Sequence, residues 1–205
     1  MRDSQASTAS VRLENAAIER GGRLVLRGFS LALSSGETVW IRGANGSGKS
    51  TLLRAIAGLL PLSAGVLHVE GSLALTDDNL ALDSDDSLEK ALHFWTRLDG
   101  ANAAQLEAAL EALDLVPLAE LPVRMLSAGQ KKRGALARTI AGAAQIWLLD
   151  EPYNGLDQAN VARLDNAIQR HVAAGGIALI ASHIAPTINV SHSVMLDRTR
   201  AKAAA

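Results

Sequence analysis

Apolar positions along the chain fall into two kinds of pattern. Val39-Trp40-Ile41, Ile146-Trp147-Leu148-Leu149 and Ile177-Ala178-Leu179-Ile180-Ala181 are unbroken apolar runs of strand length. Continuous runs suit strands covered on both faces, as in a parallel sheet. The first run meets a Gly-rich turn and then a helix-like pattern from Lys49 to Leu60. Short runs alternating with helical patterns predict an α/β sheet with crossover helices. The N-terminal stretch differs. Val11 to Ala17 and Leu24 to Leu33 predict two short antiparallel strands joined at Gly21-Gly22.

The middle of the chain changes character. From Asp86 to Leu115 it is rich in Ala, Leu and Glu, with little strand signal. Asp86 and Glu89 match a helix start, an N-cap acceptor with a glutamate three residues on. Leu106, Leu110 and Leu113 fall on one helical face. Residues 80–142 are therefore expected to form a helical lobe inserted into one domain spanning 11–197, with tails over 1–10 and 198–205.

Composition narrows the function. The chain has 205 residues, enough for one domain rather than two. Its six aromatics argue against an all-β sandwich or barrel. The absence of cysteine removes disulfide scaffolds, thiol catalysis and thiolate metal sites. A formal net charge of −1 lacks the electrostatic footprint of a dedicated nucleic-acid binder, so no nucleic-acid partner is expected. No apolar run approaches the roughly 20 residues that span a bilayer. The polar start, Met1 to Ser10, has no apolar region of a signal peptide, and a cytoplasmic chain is expected unless a partner holds it at a membrane.

The chemistry begins at Gly43-Ala44-Asn45-Gly46-Ser47-Gly48-Lys49-Ser50, followed by Thr51. It matches the phosphate-binding loop pattern, strand before and helix after. Glycines are needed because backbone N–H groups must converge on phosphate oxygens with no Cβ in the way. Lys49 then reaches the terminal phosphates, Ser50 offers a hydroxyl to Mg²⁺, and the helix points its positive end at the anion. Asp150 and Glu151 end an apolar strand about a hundred residues later. That placement suits Asp150 as a second Mg²⁺ contact and Glu151 as the group that polarises attacking water.

Leu126-Ser127-Ala128-Gly129-Gln130 separates the classes of phosphate-loop protein. The pentapeptide resembles the signature motif of ATP-binding cassette (ABC) proteins with one Gly replaced by Ala. Ser127 makes a good N-cap for the helix expected through Ile140. Tyr153-Asn154-Gly155-Leu156-Asp157 resembles the family's D-loop, and Ser182-His183 resembles its switch histidine. The likeness covers residues 11–197. It implies an α/β P-loop NTPase of ABC ATPase type, with an N-terminal antiparallel β subdomain and an inserted α-helical lobe. It further implies ATP and Mg²⁺, a catalytic role for Glu151 and His183, and a homodimer in which Ser127 and Gly129 face the nucleotide of the other subunit. His68, His93, His171 and His192 keep an ordinary structural reading.

Two departures from the family pattern stand out. The aromatic that stacks on adenine is replaced by Ile18-Glu19-Arg20-Gly21, where Arg20 has a planar guanidinium to lay over a base. The Q-loop glutamine is missing from Leu75-Thr76-Asp77-Asp78-Asn79, leaving Asn79 or Asp78 as the substitute Mg²⁺ contact. Leu88 to Trp95, Leu126 to Arg133, Asp150 to Tyr153, Val161 to Leu164 and Gly175 to Ile177 resemble one branch of the family, the ATP-binding subunits of bacterial cytochrome c maturation. That branch implies a peripheral ATPase on the cytoplasmic side of the inner membrane, beneath integral membrane subunits of a haem-handling complex. Its turnover serves haem export or release of a haem-loaded chaperone. An ATPase for another cargo, such as a lipoprotein or an amino acid, stays open at this point. A soluble P-loop kinase would not explain the Ser127 motif.

Overall fold

A computed structural model describes residues 8–77 and 81–196. Two sheets organise it. β1 (Ser10–Arg20) and β2 (Arg23–Ser34) form the expected antiparallel hairpin, and β4 (Ala64–Glu70) pairs with the other edge of β1. Gly21 and Gly22 both adopt positive φ, 58° and 72°, as a tight turn matched to strand twist requires. Of the stretch expected as an N-terminal tail, Ala9 is buried and Ser10 opens β1, while 1–7, like the C-terminal stretch 198–205, lies outside the described residues.

The second sheet is parallel throughout, in the order β5-β6-β7-β3-β8. Its strands are β3 (Thr38–Arg42), β5 (Leu73–Thr76), β6 (Ile146–Asp150), β7 (Ile177–Ala181) and β8 (His192–Met195). The apolar runs supply the three central strands. β4, β5 and β8 have no such run and went unforeseen: two are only four residues long, and β4 is largely exposed.

Among the described residues five α-helices cover this sheet: α1 (Lys49–Ile56), α2 (Leu88–Leu98), α3 (Ala103–Ala112), α4 (Ala128–Ala141) and α5 (Gln158–Ala173). α1 stops four residues short of Leu60, because Gly58 takes φ 74° and turns the chain away. α2 starts one residue later than Asp86 suggested. Ser87 is the N-cap, accepting from the Lys90 amide, while Asp86 pairs with the Lys90 ammonium instead. Leu106, Leu110 and Leu113 are buried together as expected.

β6 and β7 explain why their sequences are continuous rather than alternating. Ile146, Leu148, Ile177, Leu179 and Ala181 enter a core with the hairpin, β3 and α1. Trp147, Leu149, Ala178 and Ile180 enter a second core beneath α2 to α5. Every side chain of these strands is thus withdrawn from water, each large aliphatic one stabilising the fold by about 1.5–3 kcal/mol.

Candidate nucleotide site

Three adjacent strands deliver the candidate residues to one edge of the sheet. β3 runs into the phosphate loop, β6 ends at Asp150, and β7 ends at Ala181, directly opposite Asp150 in register. The carboxyl ends of parallel strands, where helix N-termini also converge, are the general location of ligand sites in such sheets. Backbone bonds lock the edge together: the Glu151 amide donates to Ala181 O at 2.7 Å, and Ser182 N donates to Ile41 O at 3.1 Å.

The phosphate loop leaves α1 without a side-chain cap. Its N-cap is Gly48 at φ 105°, a left-handed conformation that side chains rarely adopt, and a Cβ there would also lie 2.8 Å from Val25 Cγ1. The other four helices are each capped by a side chain, from Ser87, Asn102, Ser127 and Asp157. The first N–H groups of α1 therefore stay available to an anion, with the helix dipole behind them. Ser47 and Lys49 are buried, Ser50 is half-buried and Thr51 is buried beneath the loop.

Lys49 Nζ donates to Gly43 O at 2.8 Å and Ala44 O at 3.4 Å, and lies 3.1 Å from Glu151 Oε1. The other carboxylate oxygen of Glu151 meets His183 Nδ1 at 2.8 Å and accepts from the His183 amide at 3.3 Å. Glu151 sits at φ +44°, a disfavoured conformation for a residue with a Cβ, of a kind that costs about 1–3 kcal/mol and clusters at functional sites. Burial pushes its carboxyl pKa up, but hydrogen bonds from Lys49 and His183 and the Lys49 charge outweigh burial and hold it below the usual glutamate value. Glu151 is ionised at neutral pH.

An open cleft of about 510 Å³ lies over this arrangement. Asn45, Gly46, Gly48, Lys49, Ser50, Thr51 and Glu151 line it, and Arg20, Arg23 and Val25 of the hairpin form its far wall. Arg20, the guanidinium the sequence offers to a base, is among the lining residues. Arg23, Val25 and Asn154 also line the cleft and were not foreseen, since each acquires its place only when the hairpin and the turn after β6 fold over the loop.

Ser127 and Gly129 do not line this cleft. Ser127 caps α4 in a reciprocal box with Gln130, its Oγ accepting from the Gln130 amide while Gln130 Oε1 accepts from the Ser127 amide. Its hydroxyl proton remains free to point outward. At Gly129 a Cβ would lie 2.8 Å from Gly155 O, so the motif packs directly on the turn after β6. Further along α4, the buried Lys132 donates to Asp150 O at 3.3 Å. Asp150 itself is buried at the strand end. Asn79 and Asp78 lie outside the described residues, and their neighbour Asp77 is paired with Arg54 at 3.1 Å.

The ABC transporter family model matches residues 26–154. The chain belongs to the ABC transporter family. Among its relatives, the cytochrome c biogenesis ATP-binding export protein CcmA of Sphingopyxis alaskensis is 49% identical over 88% of this chain and 93% of that protein. The CcmA of Rhodospirillum rubrum is 40% identical over 87% of this chain and 82% of that protein. A putative ABC transporter ATP-binding protein from Pyrococcus furiosus shares the fold, with a TM-score of 0.81 over 91% of this chain and 97% of that one at 23% identity. Among the described residues of this ABC protein, no helix is long and apolar enough to cross a membrane.

Proposed function

We propose that this chain is the ATP-hydrolysing subunit of an ABC transporter complex for cytochrome c maturation, coupling turnover to haem export or to release of a haem-loaded chaperone. The observation that carries the chemistry is the Lys49–Glu151–His183 cluster at the foot of an uncapped helix N-terminus. The CcmA relatives carry the assignment to cytochrome c biogenesis.

ATP binds with its phosphates on the N–H groups from Gly46 to Thr51. Lys49 exchanges the carbonyls of Gly43 and Ala44 for phosphate oxygens, which frees Glu151 from its ion pair. Glu151 then orients a water and takes its proton as the water oxygen bonds to the γ-phosphorus. The bond to the bridging oxygen breaks and ADP leaves. His183 Nδ1 holds the second carboxylate oxygen and fixes the direction of the first. Arg20 and Arg23 offer guanidinium planes to the base where the family's aromatic is missing.

Ser50 and Asp150 present a hydroxyl and a carboxylate, hard oxygen donors that fit Mg²⁺, which needs few protein ligands because phosphates and water complete its shell. When bound, the metal neutralises charge on the phosphates. Ser127 and Gly129 serve a second copy: they lie outside their own cleft, and the Ser127 hydroxyl can keep its cap while donating to the γ-phosphate of that copy. The exposed side chains Leu59, Phe94 and Leu98, two of them bordering a cleft of about 610 Å³ beside β5, support docking of the membrane subunits there.

Two variants test the site. Glu151→Gln is expected to bind ATP as tightly as the parent, lose turnover by about 10²–10⁴-fold and accumulate as a dimer with ATP. Lys49→Ala is expected to lose ATP binding, measured by titration with a fluorescent ATP analogue. Near-parental hydrolysis by Glu151→Gln would remove Glu151 from its role. Recovery of an unrelated permease with tagged Glu151→Gln from membranes would leave the ATPase standing and discard the haem assignment.

A further inference from the structure

The loops that carry Glu151 and His183 are both fastened to one buried carboxylate that the mechanism above does not use. Asp165, in the middle of α5, is 3% exposed. Its Oδ1 accepts from Tyr153 Oη at 2.6 Å. Its Oδ2 accepts from the Thr187 amide at 3.0 Å and also from the Thr187 hydroxyl. Tyr153 is fully buried two residues after Glu151, and Thr187 follows His183 by four. Tyr153, Leu164, Ile168 and Ile188 pack in the same core, so the Tyr153–Asp165 link is closed to water, while Thr187 reaches the buried carboxylate from the surface.

These contacts close a ring. It passes from Glu151 through Tyr153 to Asp165, on to Thr187, and back along the chain to His183, whose Nδ1 meets Glu151 Oε2. Hydrogen bonds to a carboxylate are short and strong, and a buried position strengthens them. The ring has a job to do: Glu151 sits at φ +44°, a conformation that persists only where its surroundings over-determine it. A carboxylate is suited to this position because it accepts on both oxygens and donates on neither, whereas an amide would present N–H groups to donors that already need an acceptor.

We infer that Asp165 is a positioning residue for hydrolysis, holding the turn after β6 and the segment after β7 in one arrangement so that Glu151 and His183 meet before nucleotide arrives. The inference rests on the ATPase reading for its effect on rate, but the ring itself stands apart from it. Loosening either link shifts the Glu151 carboxylate relative to the attacking water, and small misplacements of a reacting group lower kcat while leaving ground-state binding intact.

The test uses the full chain with two readouts. Tyr153→Phe keeps the buried ring and removes only the O–H link, and Asp165→Asn removes the acceptor. With the membrane complex, Tyr153→Phe is expected to lower kcat about fivefold to tenfold and Asp165→Asn about tenfold to hundredfold, with KM for ATP within about twofold of the parent. Hydrogen exchange on the isolated chain is expected to quicken in both segments of Tyr153→Phe: at Asn154 and Leu156 on one side, and at His183 and Thr187 on the other. Quickening confined to 153–156, or an unchanged kcat, overturns the inference. Should Asp165→Asn not fold, Tyr153→Phe decides alone. If Lys49→Ala still bound ATP, the ATPase reading would fall, while the exchange experiment would still decide whether the ring exists.

Discussion

The two faces of the parallel sheet bury similar aliphatic strips but are covered by different means. On one face the antiparallel sheet of β1, β2 and β4 closes the core together with α1. On the other, α2 to α5 close it, and each of these helices begins at a side-chain cap. Among the described α-helices, α1 alone starts without one. The difference shows where the chain gives up local stability for chemistry. A capped helix has satisfied its first N–H groups, and an uncapped one leaves them for a phosphate. Ser127 stands between these cases, as a cap whose hydroxyl still has a proton to give.

The sharpest way to break this comparison is to truncate neighbours on one strand. Leu148 faces the hairpin core and Leu149 the helical core, and both are buried. Leu148→Ala and Leu149→Ala are each expected to cost about 2–5 kcal/mol. Because β6 belongs to both cores, each variant should shift one common unfolding transition. A second transition appearing only in Leu149→Ala, in a denaturant melt followed by circular dichroism, would show the helical core to be separable.

A smaller effect is expected at the signature motif. Gly129→Ala places a Cβ against the Gly155 carbonyl, which cannot swing aside like a side-chain end, and should cost about 1–3 kcal/mol. Ala128, exposed in the first turn of α4, meets no such barrier. This explains sterically why the departure from the family's two glycines falls at 128 and not at 129. Thermal melting of Gly129→Ala with unchanged stability would refute the close approach.

Caps give the next step down. Asn102→Ala and Ser127→Ala each remove one reciprocal capping box and are expected to cost about 1 kcal/mol, or roughly 2–4 °C in Tm. Only Ser127→Ala is expected to lower ATP turnover as well. Equal losses of turnover in the two would reduce Ser127 to a cap.

The smallest effects are those of pH. Burial pulls the pKa of His171, stacked on Trp147 at 3.8 Å, below its ordinary value, and hydrogen bonds with the Ile177 and Gln145 carbonyls oppose this without cancelling it. The unfolded chain therefore takes up the proton first. Stability is complete above about pH 6.5 and declines as pH falls from there toward the lower folded value. His171→Phe keeps a ring against Trp147 and should flatten that decline in Tm. Glu151 acts in a lower window: its contribution is present above about pH 4.3 and is lost as pH falls through its depressed folded value. Glu151→Gln should remove that limb of the stability profile.

Much of the fold was legible in the sequence because the central strands are doubly covered. Burial on both faces forces unbroken apolar runs, and three such runs mark β3, β6 and β7. The edge strands β5 and β8 carry no such constraint and left no pattern. The phosphate loop was equally plain, since its glycines answer to backbone geometry that no other residue satisfies. Asp165 left only a faint mark, a charged residue beside Leu164 and Ile168 on the inner face of α5.

By itself, then, the sequence determined the parallel sheet, the hairpin and the candidate phosphate loop and acidic pair, because each is written in local periodicity or in backbone-limited motifs. Tertiary structure alone decided which groups face one another. The Lys49–Glu151–His183 cluster joins Lys49 to Glu151, about a hundred positions on, and Glu151 to His183, 32 positions further, Arg23 and Val25 reach the cleft only through the fold of the hairpin, and Asp165 gains its partners from two separate loops. Such meetings depend on the order in which distant strands assemble, which no local pattern encodes.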